Sequence, residues 1–268
     1  MKKYIITEPQ LNLIKTKLNE SNLRSYVFDW DDNILYMPTT IKMDVKTSGG
    51  WEPIDVSTED YSKVRTDSNY RLRDNDPNIA FKDFRDSKSF IRDIKKALKN
   101  KMFAPSYDKF KEALIFANPF GINTARSHKP QTLRNGVKFF IDEVFTEEEK
   151  EEMVSNINKS MRSTKNLNRE QTIDFYLDEM GEYYPVSSKE FGKRFGIDTS
   201  LTASNPEHAK KIAIEHFIKK VFDNVKTLVN SDYKKMSLGF SDDDVRNVRS
   251  MELFIEEELN KMYPEFHF

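Results

Sequence analysis

Cysteine is absent from this chain of 268 residues. That absence excludes disulfides, thiolate metal sites and cysteine nucleophiles. Glycine is scarce, with 8 residues, which excludes collagen-like and glycine-rich linker classes. No apolar run approaches the roughly 18 residues of a membrane span, so no membrane partner is expected. The first residues, through Leu18, lack an uninterrupted apolar stretch and a small-residue cleavage site. They read as a mature chain of cytoplasmic type. Neither sign of charge dominates: 43 basic residues face 44 acidic ones, a net of -1. No general electrostatic footprint for nucleic acid follows from that balance. The 4 histidines show no zinc spacing, and neither a P-loop nor a G-x-G-x-x-G occurs.

What the chain does have is aromatic weight. Phe 20, Tyr 11 and Trp 2 make up 12% of it, and 37% is hydrophobic, which argues for a packed core rather than general disorder. Leu11, Ile14 and Leu18 predict an amphipathic helix over 8–20. A short strand is expected over 25–28 and a hairpin over 39–56, with Ile41, Met43 and Val45 alternating and Ser48-Gly49-Gly50 turning. Ser57 or Thr58 caps a short helix to Val64, and the polar stretch 66–86, broken by Asn75-Asp76-Pro77, reads as a long loop. Helices follow over 87–99, with Ile91, Ile94 and Leu98 inward, and over 106–116. The next runs from Pro130 through Val144, and another spans 147–161, where Thr146 and Glu149 match a capping box. A basic loop over 162–170 precedes a helix over 171–180 that stops at Gly181. Tyr183–Val186 is β-prone, and Ser187 caps a helix over 189–195. Pro206 opens a helix to Leu228, with Ile212, Phe217 (or Ile214), Val221 and Val225 inward, and the last helix spans about 244–262. Short strands at 25–28, 119–123 and 236–240, separated by helices, predict an α/β fold with a parallel sheet.

Each of those strands runs into residues that can carry chemistry. Val27-Phe28 delivers Asp29-Trp30-Asp31-Asp32-Asn33 at a carboxyl end, where ligands of parallel sheets sit. Two carboxylates there suit Mg2+, or divide the roles of nucleophile and proton carrier; an acidic turn is the plainer reading. After 119–123, Thr124 is placed to bond a phosphate oxygen, and Arg126 or His128 to approach it; helix capping by Thr124 or Ser127 is the alternative. Gly239-Phe240 ends in Ser241-Asp242-Asp243-Asp244, whose mutual repulsion a cation would relieve, or a helix N-terminus would satisfy. Lys210 and Lys211 lie in the first turns of the helix after Pro206.

Taken in order, Phe28-Asp29-Trp30-Asp31, Thr124, Lys210 (or Lys211) and Asp242-Asp243 resemble the four motifs of the haloacid dehalogenase-like superfamily, mostly Mg2+-dependent phosphohydrolases. The resemblance implies a Rossmann-like parallel sheet with helices on both faces, an enlarged flap hairpin and mainly helical insertions. It implies a core over 25–38, 105–145 and 205–268, an N-terminal helical extension over 1–24, a flap and small cap over 39–104, and a helical insertion over 146–204. By the same resemblance Asp29 is the nucleophile and Asp31 the proton carrier. Asp29, the Asp31 carbonyl, Asp242 and Asp243 hold Mg2+, and Thr124 and Lys210 bind the transferring phosphoryl group. Asn33 and Arg126 are assigned to substrate binding. The implied substrate is a phosphorylated small molecule, a nucleotide or a nucleic-acid end, with Arg126, Lys129, Arg134 and the basic 159–169 stretch as basic contacts.

The chain departs from the family's pattern after Asp31, where Gly and Thr or Val are usual but Asp32 and Asn33 stand. Two other functions therefore stay open. One is a non-catalytic structural or interaction protein on the same scaffold. The Lys/Asn-rich composition is similar to that of large-genome phage proteins, which extends this alternative to a virion role. The other keeps the aspartyl phosphate but transfers the group to an acceptor other than water.

Overall fold

The computed structural model describes residues 22–85, 87–162, 164, 166–198, 206–228, 235–264 and 266–267. The helix expected over 8–20 lies outside them. The central sheet is parallel. Its strands are β1 (Asn22–Phe28), β5 (Phe120–Thr124), β6 (Gly181–Pro185), β7 (Lys235–Ser241) and the two-residue β8 (Phe266–His267), in the order β6-β5-β1-β7-β8. Helices cover both faces, as a Rossmann-like α/β fold requires. A second, antiparallel sheet joins β2 (Ile41–Thr47), β3 (Gly50–Val56) and β4 (Tyr70–Leu72) in the order β3-β2-β4.

Strand alternation builds the two faces. Phe28, Phe120, Ile122 and Tyr183 point into one core, under helices Ser87–Lys99, Tyr107–Ile115, Pro130–Val144, Glu147–Ser160 and Arg169–Glu179. Leu23, Val27, Tyr184, Met236 and Leu238 point into the other, under Lys189–Phe195, Glu207–Leu228 and Val245–Phe254. The aromatic weight gathers in the first core. The Phe110 ring meets Phe28, Trp30, Phe120 and Phe140 at 5.3, 6.0, 6.1 and 5.2 Å. Such pairs add about 0.5–1.5 kcal/mol each beyond the area they bury.

The hairpin, the Thr146–Glu149 capping box and the short helix after Ser57 form as the sequence predicts. Other expectations need correction. The segment 146–204, expected as a helical insertion, also supplies β6 to the central sheet. The stretch 66–86 is not one loop; it contains β4 and the helical turn Pro77–Ala80. Helix Ser87–Lys99 turns Phe90, Ile94 and Ala97 fully inward and leaves Ile91 and Leu98 flanking. On Glu207–Leu228, Ala213, Ile214, Phe217, Ile218 and Val221 are buried, and Ile212 is only half so; the Val225 side chain lies outside the described residues. Ser188, not Ser187, caps Lys189–Phe195, accepting from the Phe191 amide. The last helix is interrupted by a π-helical turn at Ile255–Leu259. Among the described residues no helix is long and apolar enough to cross a membrane.

Gly181 is a tight joint in this scheme, closed on one side by backbone. A Cβ there would stand 2.6 Å from the Leu177 carbonyl oxygen, 2.7 Å from the Tyr183 hydroxyl and 2.9 Å from Phe120. The carbonyl belongs to the backbone and cannot swing aside. Gly181→Ala is expected to cost about 1–3 kcal/mol, the usual range for overpacking, read as a lower urea midpoint.

Candidate active site

In a parallel sheet all carboxyl ends fall on one edge. Here β1, β5 and β7 bring Asp29, Thr124 and Asp242 to that edge, and helix Glu207–Leu228 lowers Lys210 between them. All four line one cavity of about 480 Å³, together with Asp31, Arg126 and Asp243.

Asp29 continues the β1 ladder by donating its amide to the Ser241 carbonyl at 2.9 Å. Its carboxylate is buried, and Oδ1 has no hydrogen-bond partner. Oδ2 lies 3.6 Å from the Lys210 ammonium. Burial pushes the Asp29 carboxyl well above its ordinary value; Lys210 opposes this, while Asp242, Asp243 and Asp31 add to it. Lys210 donates to Asp242 at 2.6 Å. Burial alone would depress the ammonium, but Asp242 and Asp29 outweigh it and hold its pKa above the ordinary value. Of the two lysines, Lys210 lines the cavity and Lys211 does not. Lys210 is 3% exposed, whereas Lys211 sits with its ammonium 5.6 Å from the Phe254 ring centre.

One oxygen from each of Asp29, Asp242 and Asp243 falls within 4.8 Å of the others. With the unpartnered Asp29 oxygen, this set fits a hard divalent cation, which prefers several carboxylate oxygens. Asp242 is aimed by Asn247, which donates to Oδ1 at 2.9 Å, and by the Asp244 amide at 3.0 Å. Asp243 is open to solvent along much of its surface but carries its carboxylate among these neighbours. Partial desolvation, then the charge of Asp242, pushes it up to about 7.

Asp31 also faces the cavity, but not as a free group. Arg126 grips it with a fork, Nε to Oδ2 at 2.7 Å and Nη2 to Oδ1 at 2.6 Å. Arg126 is 1% exposed, lies 4.8 and 5.0 Å from the Phe84 and Phe90 ring centres, and also donates to Thr39, which donates to Asp93. Arg126, expected to bind substrate, therefore serves Asp31; only its Nη1 lacks a partner. Thr124 donates to Asp31 at 3.5 Å, at the limit of a hydrogen bond.

Asn33, also expected at the substrate, is a staple behind the site. Its amide nitrogen donates to the carbonyls of Asp29 and Ser241, each at 3.1 Å, and its oxygen accepts from Ser106 and Ser241. It does not line the cavity. Asp32 takes a left-handed backbone, φ 55°, which an aspartate tolerates and glycine adopts freely. Its carboxylate accepts from Thr58 on helix Thr58–Val64. The His128 ring packs 5.0 Å from that of Phe90 in the interior. Arg134, expected at nucleic acid, is paired with Asp174 and Asp178 at 2.8 Å each.

Sequence reasoning missed Thr39, Asp93, Ser106 and Asn247, which orient the site; of these Asn247 also lines the cavity. Only Asn247 carried a signal, one helical turn beyond the Asp242 cluster.

Two outcomes are expected. Arg126→Leu strips the buried Asp31 of its partner, so the protein should lose about 3–5 kcal/mol of stability by urea unfolding. The second concerns pH. Burial, with Asp31 and Glu59 adding to it against the Thr58 hydrogen bond, pushes Asp32 up to about 6. Asp32 and Asp243 thus hold protons more tightly folded than unfolded, where a carboxyl titrates near 3.9. Their contribution is fully present below about pH 4 and is lost as pH rises through about 6 to 7. In EDTA, Asp32→Asn should raise stability at pH 8 on the order of 1 kcal/mol, allowing for its solvent contact, and change little at pH 4.

No family model, no curated protein and no solved structure matches this chain, so the chemistry of the site carries the functional reading.

Proposed function

We propose that this chain is a Mg2+-dependent phosphohydrolase acting on a phosphomonoester through an aspartyl phosphate at Asp29. One observation carries the reading: a buried Asp29 carboxylate with an unpartnered oxygen, 3.6 Å from a buried ammonium and beside two further carboxylates. The order of the motifs, similar to that of haloacid dehalogenase-like enzymes, supports the same reading.

Asp29, Asp242, Asp243 and the Asp31 carbonyl would hold Mg2+, which when bound offsets the negative charge of the carboxylates and the phosphoryl oxygens. The remaining work falls to the chain. An Asp29 oxygen attacks phosphorus in line, and the bond to the leaving oxygen breaks with its electron pair. Asp31, entering the cycle with a proton, gives it to that oxygen, and later takes one back from the water that attacks phosphorus and frees Asp29. Arg126 fixes the direction of Asp31 throughout. Lys210 and Thr124 meet the phosphoryl oxygens and spread the charge that develops on them.

The test is phosphate release from a panel of phosphomonoesters, with Mg2+ and with EDTA. Release should require the metal, and Asp29→Asn should lower it by at least about 10³-fold while the protein stays folded. Metal-independent release that survives in the variant would overturn the assignment. Product analysis with added alcohols separates hydrolysis from transfer. A folded protein without turnover on any ester would favour the non-catalytic scaffold.

A further inference from the structure

The cavity above Asp29 is larger than a phosphoryl group needs. About 480 Å³ falls within the roughly 300–1,000 Å³ of pockets that enclose small organic ligands. Its floor is ionic, but part of its wall is aromatic. Tyr61, Phe81 and Phe84 line it as a corner of rings. Tyr61 meets Phe81 edge to face at 5.6 Å, and Phe81 meets Phe84 at 6.1 Å. Phe84 is covered by Arg126, whereas Tyr61 and Phe81 are only half-buried and keep surface toward the cavity. These rings come from helix Thr58–Val64 and the turns after Pro77, outside the elements that carry the catalytic carboxylates.

Cations stand beside the rings. Arg85 is exposed, lines the cavity and is steadied by Asn78. Arg65 and Arg246 line it too, although Arg246 already shares its guanidinium with Asp244. Glu59 lies on the same side, so the field there is mixed. Arg85, exposed and bonded to the neutral Asn78, is placed to meet an anion, and the rings must supply the rest of the selectivity.

We infer that the cavity takes a nucleoside phosphate, with its base against Tyr61 and Phe81 and a second phosphate at Arg85. The inference rests on the phosphohydrolase reading for the place of the reacting phosphate, at Asp29 and Lys210. A base offers a flat π-face that stacks on aromatic side chains whatever its sequence identity. A sugar phosphate or phosphorylated polyol has no such face and leaves the rings unused. The planar guanidinium of Arg85 matches a phosphate with two parallel hydrogen bonds. A free nucleotide and the end of a nucleic-acid strand present this same chemistry.

The test is calorimetric binding to the whole wild-type chain in EDTA, where metal-dependent turnover does not consume the ligands. The probes are ribose 5-phosphate, adenosine 5′-phosphate, adenosine 3′,5′-bisphosphate and a 5′-phosphorylated trinucleotide. Adenosine 5′-phosphate should bind roughly five- to hundredfold tighter than ribose 5-phosphate, the range of base–aromatic stacking. Phe81→Ala should erase that advantage. Arg85→Ala should weaken the bisphosphate and leave adenosine 5′-phosphate unchanged. A trinucleotide that binds tighter than the mononucleotide assigns the pocket to strand ends; one that binds no tighter assigns it to free nucleotides. Equal affinity of wild-type protein for ribose 5-phosphate and adenosine 5′-phosphate overturns the inference, whatever the variants do. Phosphate release with Mg2+ from the same ligands keeps the two readings apart. Release without base preference sinks the nucleotide pocket alone, whereas base preference without release sinks the hydrolase reading alone.

Discussion

Asp29, Asp31 and Asp242 bring three carboxylates out of water at one edge of one sheet, and the architecture around them answers that charge. An uncompensated buried carboxylate costs several kcal/mol, so each must find a cation or change its protonation. Arg126 answers Asp31 with both arms of its fork. Lys210 answers Asp242 directly and Asp29 at longer range. The balance is incomplete by design of the geometry. Two buried cations face three buried carboxylates, Asp243 adds a fourth negative group at the rim, and the deficit falls on Asp29.

The cations need support of their own. Arg126 lies between two phenyl rings and is tied through Thr39 to Asp93 on helix Ser87–Lys99. The backbone of Lys210 is fixed where Asn123, on β5, donates to its carbonyl at 3.0 Å. Asn33 binds the ends of β1 and β7 together and draws in Ser106. Side chains that sit on strand ends, with a second ring of hydrogen bonds behind them, are held within the small tolerance that positioned chemistry would demand.

Much of this could be read from the chain because apolar strands ending in aspartates announce themselves locally. The capping box and the hairpin are likewise patterns of a few adjacent residues. What escaped depended on distance along the chain. A guanidinium two residues after Thr124 looks like an anion contact, and its true partner lies 95 positions earlier. Lys210 and Lys211 are equivalent in a helical pattern, and only burial tells them apart. Tyr183–Val186 reads as β-prone, but the strand it joins is not local information; β6 pairs with β5. On helix Ser87–Lys99, Phe90-Ile94-Ala97 and Ile91-Ile94-Leu98 repeat with the same period, and packing against Trp30 selects the first. The aromatic corner at Tyr61, Phe81 and Phe84 has no period at all, since it is assembled from a helix and two irregular turns.

Among the described residues β6 is outermost on its side of the sheet, yet all five of its residues are buried. An open strand edge is a template on which another chain can add itself, and a common start of aggregation. Here Pro185 removes one amide from the strand, and Glu182 is tied to Lys220 and Arg194. A terminal strand so short and so covered leaves little backbone for a stranger to pair with. The segment expected as an insertion thus supplies a border strand of the sheet.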